Sequence, residues 1–278
     1  MEQLRVLITG SNAGFGKLST IKLAKQGHHV IATMRNMQKA DELLNACKKE
    51  NVEVEIREMD VSDLASVEAA LADANEIDVL VNNAGFEIQG AVELINDELM
   101  HRQLDTNVLG PLRAIRTVMP SWRIRGHGAV VNVSSVVGRI ASPYGGAYAA
   151  SKFALEGMSE AFHYEAKPAG IRVHLIEPGR FSTTSFGSNI IRPEGWEGSE
   201  FQAKQQEFAA ALSSLDNGNG PQDPELVADA IYRAVTDPEA PFRNPVGDDA
   251  TQLFAAKQAT GSFEEFEAAI RARLNWYG

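Results

Sequence analysis

Seven short β-type runs, most of them apolar, punctuate this chain, at 4–8, 29–34, 52–57, 78–82, 129–134, 171–177 and 243–246. Amphipathic stretches separate several of them, at 17–26, 39–50, 64–75 and 97–122, and the last is expected to bend near Gly110-Pro111. Strands apolar along their whole length are buried on both faces, pair in parallel and need helical crossovers. The alternation therefore predicts a three-layer α/β fold, a doubly wound parallel sheet of about seven strands. No linker-like composition divides residues 1–278, so a single domain is expected.

The first strand-to-helix turn reads ITGSNAGFGK, which sets Gly10, Gly14 and Gly16 between a strand and a helix. Glycines there allow a tight turn, close approach of the backbone to a pyrophosphate, and close packing of helix on sheet. The helix N-terminus adds an attraction for phosphate charge. The spacing is T-G-x-x-x-G-x-G, distinct from the G-x-G-x-x-G of other dinucleotide folds.

Further on, VVNVSSVVGRIASPYGGAYAASKFAL runs from strand through loop into an alanine-rich helix, with Ser135 at the strand end and Tyr148 and Lys152 near the helix start. Four residues apart on a helix, Tyr148 and Lys152 share one face. A phenol of pKa about 10 exchanges protons poorly at neutral pH, and a neighbouring ammonium is expected to lower that pKa. Y-x-x-x-K alone arises by chance in long chains. Its company gives it meaning.

Together these motifs resemble the short-chain dehydrogenase/reductase family, in its single-domain branch of Rossmann type, densely from residue 4 to about residue 183 and loosely beyond. The glycine loop supplies Gly10, Asn12, Gly14, Phe15 and Gly16. Asp60-Val61 matches the family's adenine-side pair, and Asn82-Asn83-Ala84-Gly85 matches its N-N-A-G signature. Asn107, in D-T-N-V-L-G, matches the asparagine of the catalytic tetrad. Pro178-Gly179, Phe181 and Thr183 match the segment that flanks the nicotinamide. The resemblance implies a nicotinamide-dependent oxidoreductase acting on a carbonyl or an alcohol. Tyr148 would exchange a proton with the substrate oxygen, and Ser135 would hydrogen-bond that oxygen. Lys152 would hold the nicotinamide ribose and lower the Tyr148 pKa, and Asn107 would support a water relay to Lys152.

Cofactor choice turns on the end of the second strand, VIATMRN. NAD-preferring relatives carry an acid there for the ribose hydroxyls, whereas this chain has Met34 followed by Arg35. A 2′-phosphate needs a cation and no carboxylate, so NADP (NADPH) is expected, held by Arg35 with Asn36.

The substrate should be decided within 184–222, read as a lid with one or two short helices over the pocket. Phe86, Ile140 and Tyr144 near the pocket mouth suggest an apolar lining for a hydrophobic ketone, aldehyde or alcohol. The ending FRNPVGDDA resembles that of hydroxysteroid and retinol dehydrogenase-like members, with Asn244 where Tyr is frequent. A helical extension is expected over 248–278, with an amphipathic helix across 258–276. The family's usual pairing implies a homodimer or homotetramer.

A formal charge of −11 with no basic run argues against nucleic-acid binding. No apolar stretch approaches the roughly 20 residues that span a bilayer. The one cysteine, Cys47, has no partner at metal-ligand spacing, so no metal is expected, and the N-terminus reads as strand and turn rather than as a leader, so a cytoplasmic protein is expected. Two other classes stand beside the oxidoreductase: a nucleotide-dependent epimerase or dehydratase, which would typically carry T-G-x-x-G-x-x-G, and a non-catalytic NADP sensor, expected to lack one of the four active-site residues.

Overall fold

The structure, a computed structural model, describes residues 3–213 and 221–276. Seven parallel strands form one sheet in the order β3-β2-β1-β4-β5-β6-β7. They are β1 (Arg5–Ile8), β2 (His29–Met34), β3 (Glu55–Glu58), β4 (Val79–Asn82), β5 (Gly128–Val133), β6 (Ile171–Pro178) and β7 (Arg243–Val246). All seven expected strands form. Leu7 sits in register with Ile31 on one side and Leu80 on the other.

Because successive strand residues point to opposite faces, β1 and β4 serve two cores. Leu7 and Leu80 pack with Val67, Val118 and Trp122, from helices α3 (Leu64–Ala70) and α5 (Gly110–Arg125). Val6, Ile8, Val79 and Val81 pack with Leu23, Val227 and Ile231, from α1 (Gly14–Lys25) and α8 (Glu225–Thr236). Each such aliphatic side chain, withdrawn wholly from water, contributes about 2 kcal/mol. Burial on both faces is what the unbroken apolar runs required.

The remaining helices are α2 (Ala40–Lys49), α4 (Asp97–Leu104), α6 (Gly146–Ala166), α7 (Glu200–Ser213), α9 (Asp248–Ala259) and α10 (Phe263–Leu274). The expected bend in 97–122 proves to be a π-helical turn, Asp105–Leu109, which ends where Gly110 begins α5. Gly110 lies tight against Val61, where a Cβ would come within 3.0 Å of the valine side chain. The single helix expected over 258–276 is replaced by α9 and α10, broken at 260–262, where Ser262 caps α10 by accepting from the Glu265 amide at 3.1 Å. Of the expected lid, 214–220 lies outside the described residues; the rest supplies a 3-10 turn (Ser185–Asn189) and α7.

Strand order reverses at β1, between β2 and β4. A crevice opens at the carboxyl ends of the strands at such a switch point, and the glycine loop, the N-N-A-G turn and Ser135 all lie there.

Candidate active site

Side chains anchor the glycine loop to the end of β4. The Thr9 hydroxyl accepts from the amides of Asn83 and Ala84, both at 2.9 Å, and the Asn83 side chain donates to the carbonyls of Thr9 and Gly10 at 2.9 and 3.0 Å. Gly10 has φ +69°, and a Cβ there would meet the Ala84 backbone at 2.9 Å. A Cβ on Gly16 would collide with the Gly10 carbonyl and the Asn83 amide. No side chain caps α1, and no acid occupies its first turn. Its amides are left to bind an anion. Gly10, Asn12, Gly14 and Phe15 line a cavity of about 1050 Å³, a cradle that fits the pyrophosphate of a dinucleotide.

At one end of that cavity stand Arg35, Asn36, Asp60 and Val61. The Arg35 side chain is 70% exposed, with its Nε 3.9 Å from an Asp60 carboxylate oxygen. Met34 instead enters the core. Asn36 accepts from the Gln38 amide at 3.0 Å and so caps a 3-10 turn that ends at Lys39. That turn brings Lys39 to the cavity beside Arg35, a second cation missed in the sequence. Its spacing, four residues beyond Arg35 and opening a helical run, was the available signal.

The other end holds the reacting groups. Ser135, two residues beyond β5, caps a 3-10 turn, accepting from the Val137 amide at 3.3 Å and donating to the Pro178 carbonyl at 3.5 Å. Tyr148 and Lys152 lie in the first turns of α6, and Lys152 Nζ donates to the Val133 carbonyl at 2.8 Å, 5.6 Å from the centre of the Tyr148 ring. Burial drives the Lys152 pKa down to about 8, against an opposing pull from Glu156. The expected lowering of Tyr148 does not occur. Burial pushes its phenol above the ordinary value, the charge on Glu87 adds to the push, and a hydrogen bond with Ser135 opposes both. Desolvation sets the direction, and the Lys152 ammonium is committed to a backbone carbonyl.

Asn107, on the π-helical turn, is buried behind this wall, and Thr106 faces the cavity in its place. Its side chain accepts from the Phe86 amide at 3.2 Å and donates to the Phe86 carbonyl and the Ser151 hydroxyl, both at 3.0 Å. All its hydrogen-bonding capacity as a donor is spent on scaffolding. Gly85 lies between it and Lys152, since a Cβ there would be 3.2 Å from Asn107 Oδ1 and 3.8 Å from Lys152 Nζ.

Pro178, Gly179 and Phe181 line the cavity, and Phe181 meets Phe15 edge to face at 5.5 Å. Thr183 is a correction: it does not line the cavity, whereas its neighbours Ser182 and Thr184 do, in a turn where the Thr184 hydroxyl donates to the Phe181 carbonyl at 3.1 Å. Phe86 and Ile140 line the cavity as expected, but Tyr144 turns away to pack against buried Trp196 at 5.9 Å. Phe186, from the 3-10 turn, stacks 5.8 Å from Tyr148. Phe208 of α7 lies 5.1 Å from Trp276, and both line the cavity together with Ile270 and Leu274. Glu87 is the other residue missed. Burial pushes its carboxyl up to about 7. It follows the N-N-A-G signature by two residues, so its position was available, but nothing local reveals its burial.

The arrangement joins a phosphate cradle to a protonated phenol, a serine hydroxyl and a lysine in one cavity. Such a set can bind a dinucleotide and exchange a proton with a substrate oxygen. A family model described as short chain dehydrogenase matches residues 5–193. The chain is 35% identical over 265 residues to 3-ketodihydrosphingosine reductase of Bacteroides thetaiotaomicron, covering 93% of each chain. It superposes on a short-chain dehydrogenase from Streptomyces avermitilis with a TM-score of 0.80, at 31% identity and 98% coverage of both. A closed form of serine dehydrogenase complexed with NADP+ matches with a TM-score of 0.72 at 28% identity, over 87% of this chain and 94% of that one.

Proposed function

The chain belongs to the short-chain dehydrogenase family, and from that premise we propose that it is an NADP(H)-dependent oxidoreductase interconverting a carbonyl and an alcohol on a hydrophobic substrate. The observation that carries this reading is the convergence of Ser135, Tyr148 and Lys152 on one cavity with the glycine loop.

The nicotinamide, when bound, supplies or accepts the hydride. Tyr148 gives its proton to the substrate oxygen during reduction and takes one during oxidation. The Ser135 hydroxyl donates to the same oxygen as charge grows on it. Lys152 is assigned to the nicotinamide ribose, and Asn107 positions the wall that Lys152 and Phe86 share. Pro178, Gly179 and Phe181, which line the cavity, would flank the nicotinamide. Burial and Glu87 keep Tyr148 in the protonated form that carbonyl reduction uses.

Preference for NADP rests on Arg35 and Lys39 at the ribose end, with no acid at the tip of β2. The serine dehydrogenase relative, solved with NADP+, supports it. The apolar lining and the name of the Bacteroides reductase support a hydrophobic carbonyl substrate, with the segment after Phe181 and α10 acting as its cover. A homodimer or homotetramer in the cytoplasm completes the reading. Exposed Leu109 and Ile124 on or beside α5, and Phe153 and Tyr164 on α6, offer apolar surface for such pairing. No helix among the described residues is long and apolar enough to cross a membrane.

The test is a panel of ketones, aldehydes and secondary alcohols with NADPH and NADH, followed at the nicotinamide absorbance. Tyr148→Phe should lower turnover about 10²- to 10⁴-fold while cofactor affinity holds. Unchanged turnover in that variant overturns the assignment.

A further inference from the structure

Glu87 stands on a backbone held from both sides. Fully buried Gln103 accepts from the Ile88 amide at 2.7 Å and donates to the Phe86 carbonyl at 2.8 Å. The Glu87 carbonyl accepts from the Ile191 amide, and the Gln89 amide donates to the Ile191 carbonyl, both at 2.9 Å. The segment thus pairs in parallel with Ile191. Extended pairing turns successive side chains to opposite sides, so Ile88 is fully buried in the protein while Glu87 lines the cavity.

Phe86, Ile140, Phe186, Ile190 and Ile191 line the same cavity, together with polar Gln89, Arg102 and Asn189. Among the described residues the Glu87 carboxyl makes no side-chain hydrogen bond and no ion pair within 4.0 Å. The cation that bears on it, Arg192, is exposed and hydrogen-bonds Gln89 at 3.3 Å. Glu87 is half-buried and its carboxyl opens to the cavity, where a carboxylate beside apolar surface and without a protein partner is left to pair with a ligand. Here the scaffold fixes the acid near Tyr148, close enough for its charge to act on the phenol, and supplies no partner.

We infer that Glu87 sets substrate specificity by pairing with a basic nitrogen on the substrate, which is an amino ketone in the reducing direction and the matching amino alcohol in the oxidising one. The inference rests on the proposed oxidoreductase activity and deepens it. An ammonium satisfies the carboxylate with charge-assisted N–H···O bonds, about twice as strong as those a hydroxyl offers. The alkyl remainder meets the apolar lining. The nitrogen takes no part in the bond changes, which stay between the carbonyl group, the hydride and the Tyr148 proton.

Two measurements test this, one of them independent of turnover. Octylamine and 1-octanol are titrated calorimetrically into wild type and Glu87→Gln, each saturated with NADP. The ratio of amine to alcohol affinity should fall about 10- to 100-fold in the variant; an unchanged ratio overturns the pairing. In the second, kcat/KM is measured for an α-amino ketone, the α-hydroxy ketone and the plain ketone of one chain length. The wild-type preference for the amino ketone over the plain ketone should collapse by a similar factor in Glu87→Gln. Equal losses on all three, or a wild-type preference for the hydroxy ketone, overturn the assignment to nitrogen. If wild type reduces none of the three with NADPH or NADH, the oxidoreductase reading falls, and the calorimetric ratio alone decides the role of Glu87.

Discussion

The Glu87 carboxyl and the Tyr148 hydroxyl share one cavity, and the charge on Glu87 opposes ionisation of the phenol. One acid thereby bears on both substrate choice and proton transfer.

Alcohol oxidation needs ionised Tyr148, whose pKa is raised. The oxidation rate should therefore climb with pH on the alkaline side. Glu87 is ionised above about 7, so Glu87→Gln removes a charge that disfavours the phenolate. The alkaline limb should move to lower pH by about one unit. A pH profile of kcat/KM for oxidation checks this; a shift to higher pH contradicts it.

Arg35 is exposed and Lys39 stands beside it on the cavity wall. Loss of one charge-assisted contact to a phosphate should raise the KM for NADPH about tenfold in Arg35→Ala and leave the KM for NADH nearly unchanged. The double variant with Lys39→Ala should use the two cofactors about equally. Steady-state kinetics with both cofactors decides it, and a parallel rise in both KM values rules against 2′-phosphate recognition by these cations.

Gly16 has no room for a side chain between the Gly10 carbonyl and the Asn83 amide. Gly16→Ala must push the glycine loop away from the end of β4, at a cost of about 1–3 kcal/mol. Urea unfolding should show that loss, and the affinity for NADP measured by nicotinamide fluorescence should drop with it. A variant of native stability and affinity would mean that the loop yields freely.

Glu177 on β6 is fully buried, with its carboxyl 3.3 Å from Arg139. Burial first, and then the charge of Glu156, push its pKa from 4.5 up to about 7. A folded-state pKa above the unfolded one gives stability that is complete below about 4.5 and is lost as pH rises through about 7. Thermal unfolding of wild type should therefore show a decline between these values that Glu177→Gln flattens. An equally steep decline in the variant assigns the dependence to other groups.

Much of this molecule was legible as sequence. Composition marked the central strands, because a strand buried on both faces must be apolar along its length, whereas the edge strands β3 (Glu55–Glu58) and β7 (Arg243–Val246) carry polar residues. The glycine loop was legible because a positive φ at Gly10 and the contacts at Gly16 admit no Cβ, and the pair Tyr148 and Lys152 because one helical turn separates them.

What the sequence could not settle depends on residues distant in the chain. Thr183 was expected at the cavity, but the turn closed on Phe181 gives that place to its neighbours. The Tyr148 pKa was expected to fall with a lysine four residues away, and it rises because burial and the charge on Glu87 push it up more than the Ser135 hydrogen bond pulls it down. Glu87 itself reads as an ordinary acid in a loop. Its place on the cavity wall comes from Gln103 and Ile191, which fix its backbone from separate parts of the chain. Local pattern specifies backbone geometry. Desolvation and field depend on which distant atoms exclude water, and only the tertiary structure decides that.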